Sequence, residues 1–564
     1  MSDLIARLRA IVGSRHVLTG DKATARYRHG YRSGAGDALA VVRPGSLVEQ
    51  WRVVQACVAA DVSIIMQASN TGLTGGSTPD GGDYPGGCVI VSTMRIDGLH
   101  LIRDGHQVVC LPGTTLYALE RALAPLGREP HSVIGSSCFG ASVVGGVCNN
   151  SGGSLVQRGP AFTQLSLYAQ VGDDGVVRLV NHLGIALGDD AEAVLRRLER
   201  GDFTDADVDA APDAWAHDRE YAAHVRAIDS DRPARFNADS RCLFEAAGSA
   251  GKLIVFAVRL DTFEKEEGAG TFYIGTNDPA RLTAIRRAML ADFPMLPIAG
   301  EYMHRDAFDI ADRYGKDMFV AIERLGTDRL PRLFALKARV DALPVPGAGF
   351  SDRVMQAAGR LLPDHLPAEM RRFRDRFEHH LLLKMPRTMV AETRALLAAV
   401  LDGENGWFEC TPELAAKAFL HRFVVAGAAV RYRAVHRDRV EAIVALDMAL
   451  PRNAGDWTET LPPDLAAQSL HRLYYGHFFC HVFHQDYLVR KGVDPLAFEH
   501  AIWALLDQRG AEYPAEHNVG HLYKAKPPLA DFYRRIDPRN QCNPGIGMTP
   551  KARYWGVPPQ EMRS

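Results

Sequence analysis

Residues 68–78 read ASNTGLTGGST and residues 135–153 read GSSCFGASVVGGVCNNSGG. Both stretches are rich in Gly, Ser, Thr and Asn and nearly free of charge, as a backbone must be if it is to approach a ligand closely and bind it through main-chain N–H groups. A diphosphate is the natural guest. Each stretch borders a short apolar, β-branched run: VSIIM (62–66) enters the first, VIVST (89–93) leaves it, and the second holds Val143, Val144 and Val147. Two such loops at strand ends, far apart in sequence, predict one cofactor held from two sides. The spacing is not that of a GxGxxG dinucleotide fold, and no Gly-Lys-Ser/Thr marks a P-loop. A pair of ordinary Gly-rich turns is the competing reading.

Composition bounds the rest. With 564 residues the chain is too long for one core, and a formal charge of −2 gives no whole-chain field to attract nucleic acid, so none is expected as a partner. The apolar runs are shorter than the ~18 residues that a spanning helix needs, and the N-terminus lacks a signal peptide's apolar core. A cytoplasmic protein with at most peripheral membrane contact is expected. Nine cysteines without CxxC suit reduced, buried thiols.

Along the chain, helices are predicted over 4–12, 47–60 and 115–126, and a strand pair over 164–172 and 176–181, turning at Asp173-Asp174-Gly175. Residues 189–231 read as an acidic, solvated excursion. LIVFAVRL (253–260) reads as a buried strand. A second α/β unit begins near Phe263, with strands over 272–276 and 297–302 and a helix over 280–290. Residues 304–380 are helical and Arg-rich. In 418–441, Arg422, Arg431, Arg433, Arg437 and Arg439 are interleaved with Phe419, Phe423 and Tyr432. Basic and aromatic residues mixed at helical spacing suit a helix lying on an anionic membrane surface, and a solvated face over an aromatic core is the alternative.

The motifs carry a resemblance. PGSLVE (44–49), the 68–78 loop, PGTTLYALERAL (112–123) and PHSVIGSSCFGASVVGGVCNNSGG (130–153) resemble the FAD-binding domain of the vanillyl-alcohol-oxidase type. RFNAD (235–239), VFAVRLDTFE (255–264), FYIGTN (272–277), AGEYMHRD (299–306), KAFLHRF (417–423), LYYGHFFCHVFHQDY (473–487), YPAEHNVGHLYKA (513–525) and NPGIG (543–547) resemble the bacterial respiratory D-lactate dehydrogenases that reduce quinone.

The resemblance implies an α+β fold in seven segments: a first FAD-binding part (1–262), cap segments (263–303, 381–417, 442–511), basic helical membrane-contact segments (304–380, 418–441) and a C-terminal FAD-binding part (512–564). The cofactor would be gripped by Ala68, Ser69, Asn70, Thr71, Gly72, Gly76, Ser77, Gly135, Ser142 and Gly152, with Val255 presenting backbone to the flavin. No His lies in 68–78, so the FAD is expected to be noncovalent.

Oxidation of a 2-hydroxy acid also needs a base and a cation for the carboxylate. His477 and His484 resemble the metal-binding histidines of related 2-hydroxy-acid dehydrogenases and Glu516 their third ligand, although Cys480 and Val482 replace the usual Asp and Asn. A divalent metal is expected there, polarising the substrate's hydroxyl and carboxylate. His517 is the expected base, and Arg374 and Lys384 the expected carboxylate cations. The implied reaction takes D-lactate to pyruvate with ubiquinone or menaquinone as acceptor, at the cytoplasmic face of the inner membrane. A soluble dehydrogenase of another D-2-hydroxy acid, such as 2-hydroxyglutarate, and a non-catalytic flavin protein of the membrane surface are the other readings.

Overall fold

The computed structural model describes residues 2–131, 140–326, 350–401 and 405–556. Three sheets organise it. The first runs, in spatial order, Val17–Leu18, Ala40–Val42, Cys88–Ser92, Ser63–Gln67, with its three longest strands parallel. These strands are apolar along nearly their whole length, as parallel strands covered on both faces must be. The helix Leu47–Ala59 feeds the strand Ser63–Gln67. Ser46 Oγ accepts the Glu49 N–H at 3.1 Å and Glu49 Oε2 accepts the Gly45 N–H at 2.6 Å, so two free donors at the helix start are satisfied reciprocally.

The second sheet is antiparallel: Leu99–Ile102, Gln107–Cys110, Ile254–Asp261, Ser166–Val171, Val177–Asn181. The expected hairpin and the expected buried strand are therefore both present. Residues 189–231 are more than a solvated excursion. The helix Ala191–Arg200 buries Val194, Leu195 and Leu198 against the first two sheets, and Tyr221 is fully buried in a different core, because the apolar positions recur at helical spacing within the acidic background.

The third sheet has seven antiparallel strands, in the order Trp407–Glu409, Gly270–Thr276, His379–Met385, Ala299–His304, Ser469–His477, Val482–Arg490, Val440–Ala449. Side chains alternate between its faces. Phe272, Ile274, Tyr302, Leu381, Leu383 and Tyr487 enter one core. Tyr273, Met303, Leu382, Leu473, Tyr475 and Leu488 enter another, beneath the helices Arg305–Tyr314, Lys316–Leu325, Pro412–Phe423 and Val425–Val435. The two basic segments supply most of that helical layer, and the expected cap segment 381–417 supplies the first half of the helix Pro412–Phe423.

The arginines of 418–441 divide in two. Arg422 and Arg431 are buried, Arg431 between Asp317 and Asp352 at 3.0 Å each, while Arg433, Arg437 and Arg439 face outward. The eight cysteines among the described residues are free, and burial alone pushes the Cys57 thiol up to about 12.

Candidate active site

The first loop is held from its carbonyl side. Ser33 Oγ donates to Leu73 O at 2.6 Å, Gln67 Nε2 to Ser77 O at 2.7 Å, Asn543 Nδ2 to Gly76 O at 2.8 Å and the His521 N–H to Thr74 O at 3.1 Å. Ser77 Oγ and the Asn70 amide, itself anchored on His29 O, brace the turn, in which Asn70 has φ +55°. None of the amide N–H groups from Ser69 to Ser77 donates to a backbone carbonyl among the described residues. A backbone whose acceptors are engaged and whose donors are not is an anion cradle. Gly72 leaves open space where a Cβ would stand, so this chain fits a dinucleotide diphosphate.

Ser142, expected in the same grip, caps the short helix Val143–Cys148 by accepting the Gly145 N–H at 3.0 Å. Gly135 lies outside the described residues. Val255 is buried in its strand and its carbonyl already accepts the Gln50 side chain at 3.2 Å, so only the rest of its backbone remains for a cofactor.

The two loops meet at Asn518. Thr74 Oγ1 donates to Asn518 O at 2.7 Å, Asn518 Nδ2 donates to Asn149 Oδ1 at 2.6 Å, and a Cβ on Gly76 would lie 2.7 Å from Asn518 Nδ2. Gly152 packs its bare Cα against the Glu516 carboxylate.

Next to this junction a polar row crosses four neighbouring strands of the third sheet: Glu301, His477, His484 and Asp447. All share one face by their register, since Glu301 opposes His477, Tyr475 opposes His484, and His484 opposes Asp447. His477 donates Nδ1–H to Glu301 at 2.6 Å, and its Nε2 lies 3.2 Å from Glu516. Arg422 pairs with Glu301 at 2.9 Å, and the buried Arg235 pairs with Glu516 and donates to Gly153 O at 2.6 Å. Cation and anion thus alternate from Arg422 through Glu301, His477 and Glu516 to Arg235.

Burial alone would lower the His477 pKa, but the Glu301 and Glu516 carboxylates outweigh it and raise it to about 10. Burial would raise Glu516 and Glu301, but their cationic neighbours hold both below the usual carboxylate range. Asp447 is lowered in the same way, against burial, by His517 and His484. It sits 3.4 Å from His484 Nδ1 and 4.0 Å from His517 Nε2, and accepts the Glu516 N–H at 2.7 Å.

His477, His484 and Glu516 offer ligand atoms within 4.8 Å of one another, as do Asp447, His484 and His517. The first set is the expected triad, and its N/O donors fit a divalent cation.

Lys384 lies on the same face, opposite Ala299 and two residues from Leu382, the cross-strand partner of Glu301. Ala299 bridges to Leu155, so this end of the strand borders the second loop. No ion pair engages the Lys384 ammonium among the described residues.

Arg374 is not brought to the cluster. It sits on the helix Ala368–Arg376, its guanidinium taken by Asp309 at 2.6 and 2.5 Å and by Asp375 at 3.0 Å, because that helix turns its apolar Met370 and Phe373 inward and its arginines out. Glu301, Asp447, Arg235, Arg422 and Asn518 were not singled out from sequence. The signal was there: Glu301 is the one carboxylate of its strand, in AGEYM, and Asp447 is flanked by apolar residues on both sides, in VALDMAL.

Comparison with known proteins decides the family. Residues 271–555 match the model described as D-lactate dehydrogenase, membrane binding, and residues 38–179 match an FAD binding domain. The chain is 59% identical over 553 residues to the quinone-dependent D-lactate dehydrogenase of Escherichia coli (strain K12), covering 97% of each chain. It is 48% identical to that of Corynebacterium glutamicum, covering 98% of each.

The chain belongs to the quinone-dependent D-lactate dehydrogenases.

Solved structures place the fold of this family member beside the vanillyl-alcohol-oxidase type. A p-cresol methylhydroxylase matches with TM-score 0.55 at 12% identity, covering 97% of this chain and 96% of that one. An alkyldihydroxyacetonephosphate synthase matches with TM-score 0.59 at 11% identity, covering 96% and 86%. Membership with a matched membrane-binding domain sets aside the soluble and non-catalytic readings. Among the described residues no helix is long and apolar enough to cross a membrane.

Proposed function

We propose that the chain oxidises D-lactate to pyruvate and delivers the electrons to ubiquinone or menaquinone, working from the cytoplasmic face of the inner membrane against an anionic lipid surface. The observation that carries this reading is the Asp447–His517 pair, set between a metal-capable triad and the junction of two cofactor-cradling loops.

The described loop residues from Ala68 to Ser77, with Ser142 and Gly152, hold FAD without a covalent bond. When bound, FAD supplies the hydride acceptor at N5 and the capacity to pass electrons on singly. His517 directs Nε2–H toward Asp447, which leaves Nδ1 as the acceptor of the substrate's C2 hydroxyl proton. Asp447 stabilises the imidazolium that results. Lys384, whose ammonium has no ion-pair partner among the described residues, meets the lactate carboxylate. His477, His484 and Glu516 would hold a divalent cation, which when bound polarises the substrate's hydroxyl. Arg422 and Arg235 keep Glu301 and Glu516 ionised and in place.

The test is anaerobic bleaching of the holoenzyme by D-lactate, L-lactate and D-2-hydroxyglutarate. Fast bleaching by D-lactate is expected, with reduction slowed about 10²- to 10⁴-fold in His517→Ala at unchanged flavin content. A faster response to D-2-hydroxyglutarate would transfer the substrate assignment. A reduction rate within a few-fold of wild type in His517→Ala would remove that residue from the base role.

A further inference from the structure

Past the expected base, residues 518–525 run between the 68–78 loop and the C-terminal stretch 543–547 and are tied to both. On the loop side Thr74 Oγ1 donates to Asn518 O at 2.7 Å, and the His521 N–H to Thr74 O at 3.1 Å. Gly520 permits that approach, since its φ is +57° and a Cβ would stand 2.1 Å from Thr74 O. On the C-terminal side the Gly547 N–H donates to Gly520 O at 2.6 Å and the Ala525 N–H to Gly547 O at 2.9 Å. The 543–547 stretch also reaches the loop directly, through Asn543 Nδ2 on Gly76 O at 2.8 Å.

The His521 ring completes this strap. Its Nε2 lies 3.1 Å from Thr78 O, at the end of the loop, and its Nδ1 lies 3.3 Å from Gly545 O. No backbone N–H donates to Thr78 O among the described residues, so the ring is its donor. Both partners are carbonyls, which only accept. A neutral imidazole carries one N–H, so it satisfies one of them and turns a lone pair on the other, whereas an imidazolium donates to both.

The ring is half-buried, and the charges that face it come from two other elements. Asp80, just past the loop, favours the cation, and Lys551 opposes it. Lys551 is itself 3.6 Å from Asp80 Oδ2, paired with Asp83, and 4.9 Å from the centre of the Tyr84 ring. Burial lowers the His521 pKa, and Asp80 and the two carbonyls recover only part of that.

We infer that His521 is a positioning residue for the flavin, which in its protonated form ties the cradle loop to the C-terminal stretch through both ring nitrogens. This rests on the 68–78 loop holding the FAD diphosphate, as proposed above. His521 works on the carbonyl side of that loop, and the free amides are left for the diphosphate. A diphosphate on those amides places negative charge across the loop from the imidazole and raises its pKa, so the protein with FAD holds a proton that the empty protein releases. The sign follows from that linkage. FAD affinity is at its lower level above the raised pKa, climbs as pH falls through it, and levels off below the pKa of the empty protein.

The experiment measures the FAD dissociation constant of the holoenzyme by dilution between pH 5.5 and pH 8, with released flavin read from its fluorescence. The wild type should hold FAD about tenfold more tightly at pH 5.5 than at pH 8. His521→Gln keeps one amide donor and carries no charge. It should stay within threefold of wild type at pH 8 and lose the tightening at pH 5.5. His521→Phe, with a ring but no donor, should bind FAD more weakly than His521→Gln at every pH.

A wild-type profile flat within twofold, or a His521→Gln profile with the wild-type slope, would overturn the inference, and the imidazole would then be a neutral ring donating to one carbonyl. If His521→Phe does not fold, the wild type and His521→Gln carry the decision. A Gly72→Ala variant that retains FAD as the wild type does at both pH values would overturn the loop reading, and the strap with it.

Discussion

At the scale of single residues, the difference between Lys384 and Arg374 is one of available charge. Arg374 pairs its guanidinium with Asp309 and Asp375 at the surface, while Lys384 stands on the face of the polar row with no carboxylate against it among the described residues. A charge-assisted hydrogen bond to a substrate carboxylate contributes about 1.5–3 kcal/mol, so Lys384→Ala should weaken D-lactate binding roughly 10- to 100-fold. Arg374→Ala should stay within twofold in the same KM measurement. Equal effects from the two substitutions would reject Lys384.

Glu499, on the helix Pro495–Gln508, makes a second residue-scale case. Burial raises its carboxyl to about 7, and Arg32 offsets only part of that. Its folded pKa lies above the unfolded value, so the native state binds the proton more tightly. The residue therefore costs nothing below the unfolded pKa, and its cost grows as pH rises to about 7 and levels off beyond. Glu499→Gln should be neutral in denaturant unfolding at pH 4.5 and stabilise by at most about 3 kcal/mol at pH 8. A gain independent of pH would show that the carboxyl is ionised throughout.

At the scale of elements, the partners of the 68–78 loop take its carbonyls and leave its amides, while the second loop comes close to Glu516 through a glycine. Gly152 is the tightest point, with no room for a Cβ beside the Glu516 carboxylate. Gly152→Ala must displace Glu516 from His477 and Arg235, and leaving buried charges unpaired costs about 3–5 kcal/mol. The variant should lose most D-lactate reduction and lower the melting temperature, whereas Gly72→Ala, facing open space, should keep its fold and reveal the cofactor's approach through weakened FAD retention. Full activity in Gly152→Ala would mean that Glu516 is free to move.

At the scale of the whole molecule, the helix Val425–Val435, the turn after it and the helix Phe350–Leu361 packed on it combine the outward Arg433, Arg437 and Arg439 with large apolar side chains that water should not meet. Leu361 is 89% exposed, Val430 55% and Val354 50%. That pairing suits a surface lying on anionic lipid, each near-surface cation contributing about 1 kcal/mol. Replacing Arg437 and Arg439 together by Ala should weaken binding to anionic vesicles roughly 30-fold in sedimentation, with no change on neutral vesicles. Leu361→Asp should weaken both. Binding indifferent to lipid charge would remove the anionic surface from the account.

The sequence by itself determined the elements and their chemistry: strands from β-branched runs, helices from caps and 3.6-residue periodicity, a diphosphate cradle read from uncharged Gly-rich loops, and a histidine-rich motif. These are local properties, written in consecutive side chains. Which residues share a face was decided only by the tertiary structure. Glu301, His477, His484 and Asp447 come from four strands spread over 184 residues of chain, and strand register sets them side by side. The same register joined Lys384 to the row, and the outward turn of a helix kept Arg374 away from it. Arg422 read as one charge in a basic run and proved to be a buried partner of Glu301. A charged side chain's partner is fixed by packing across elements, which no local pattern encodes.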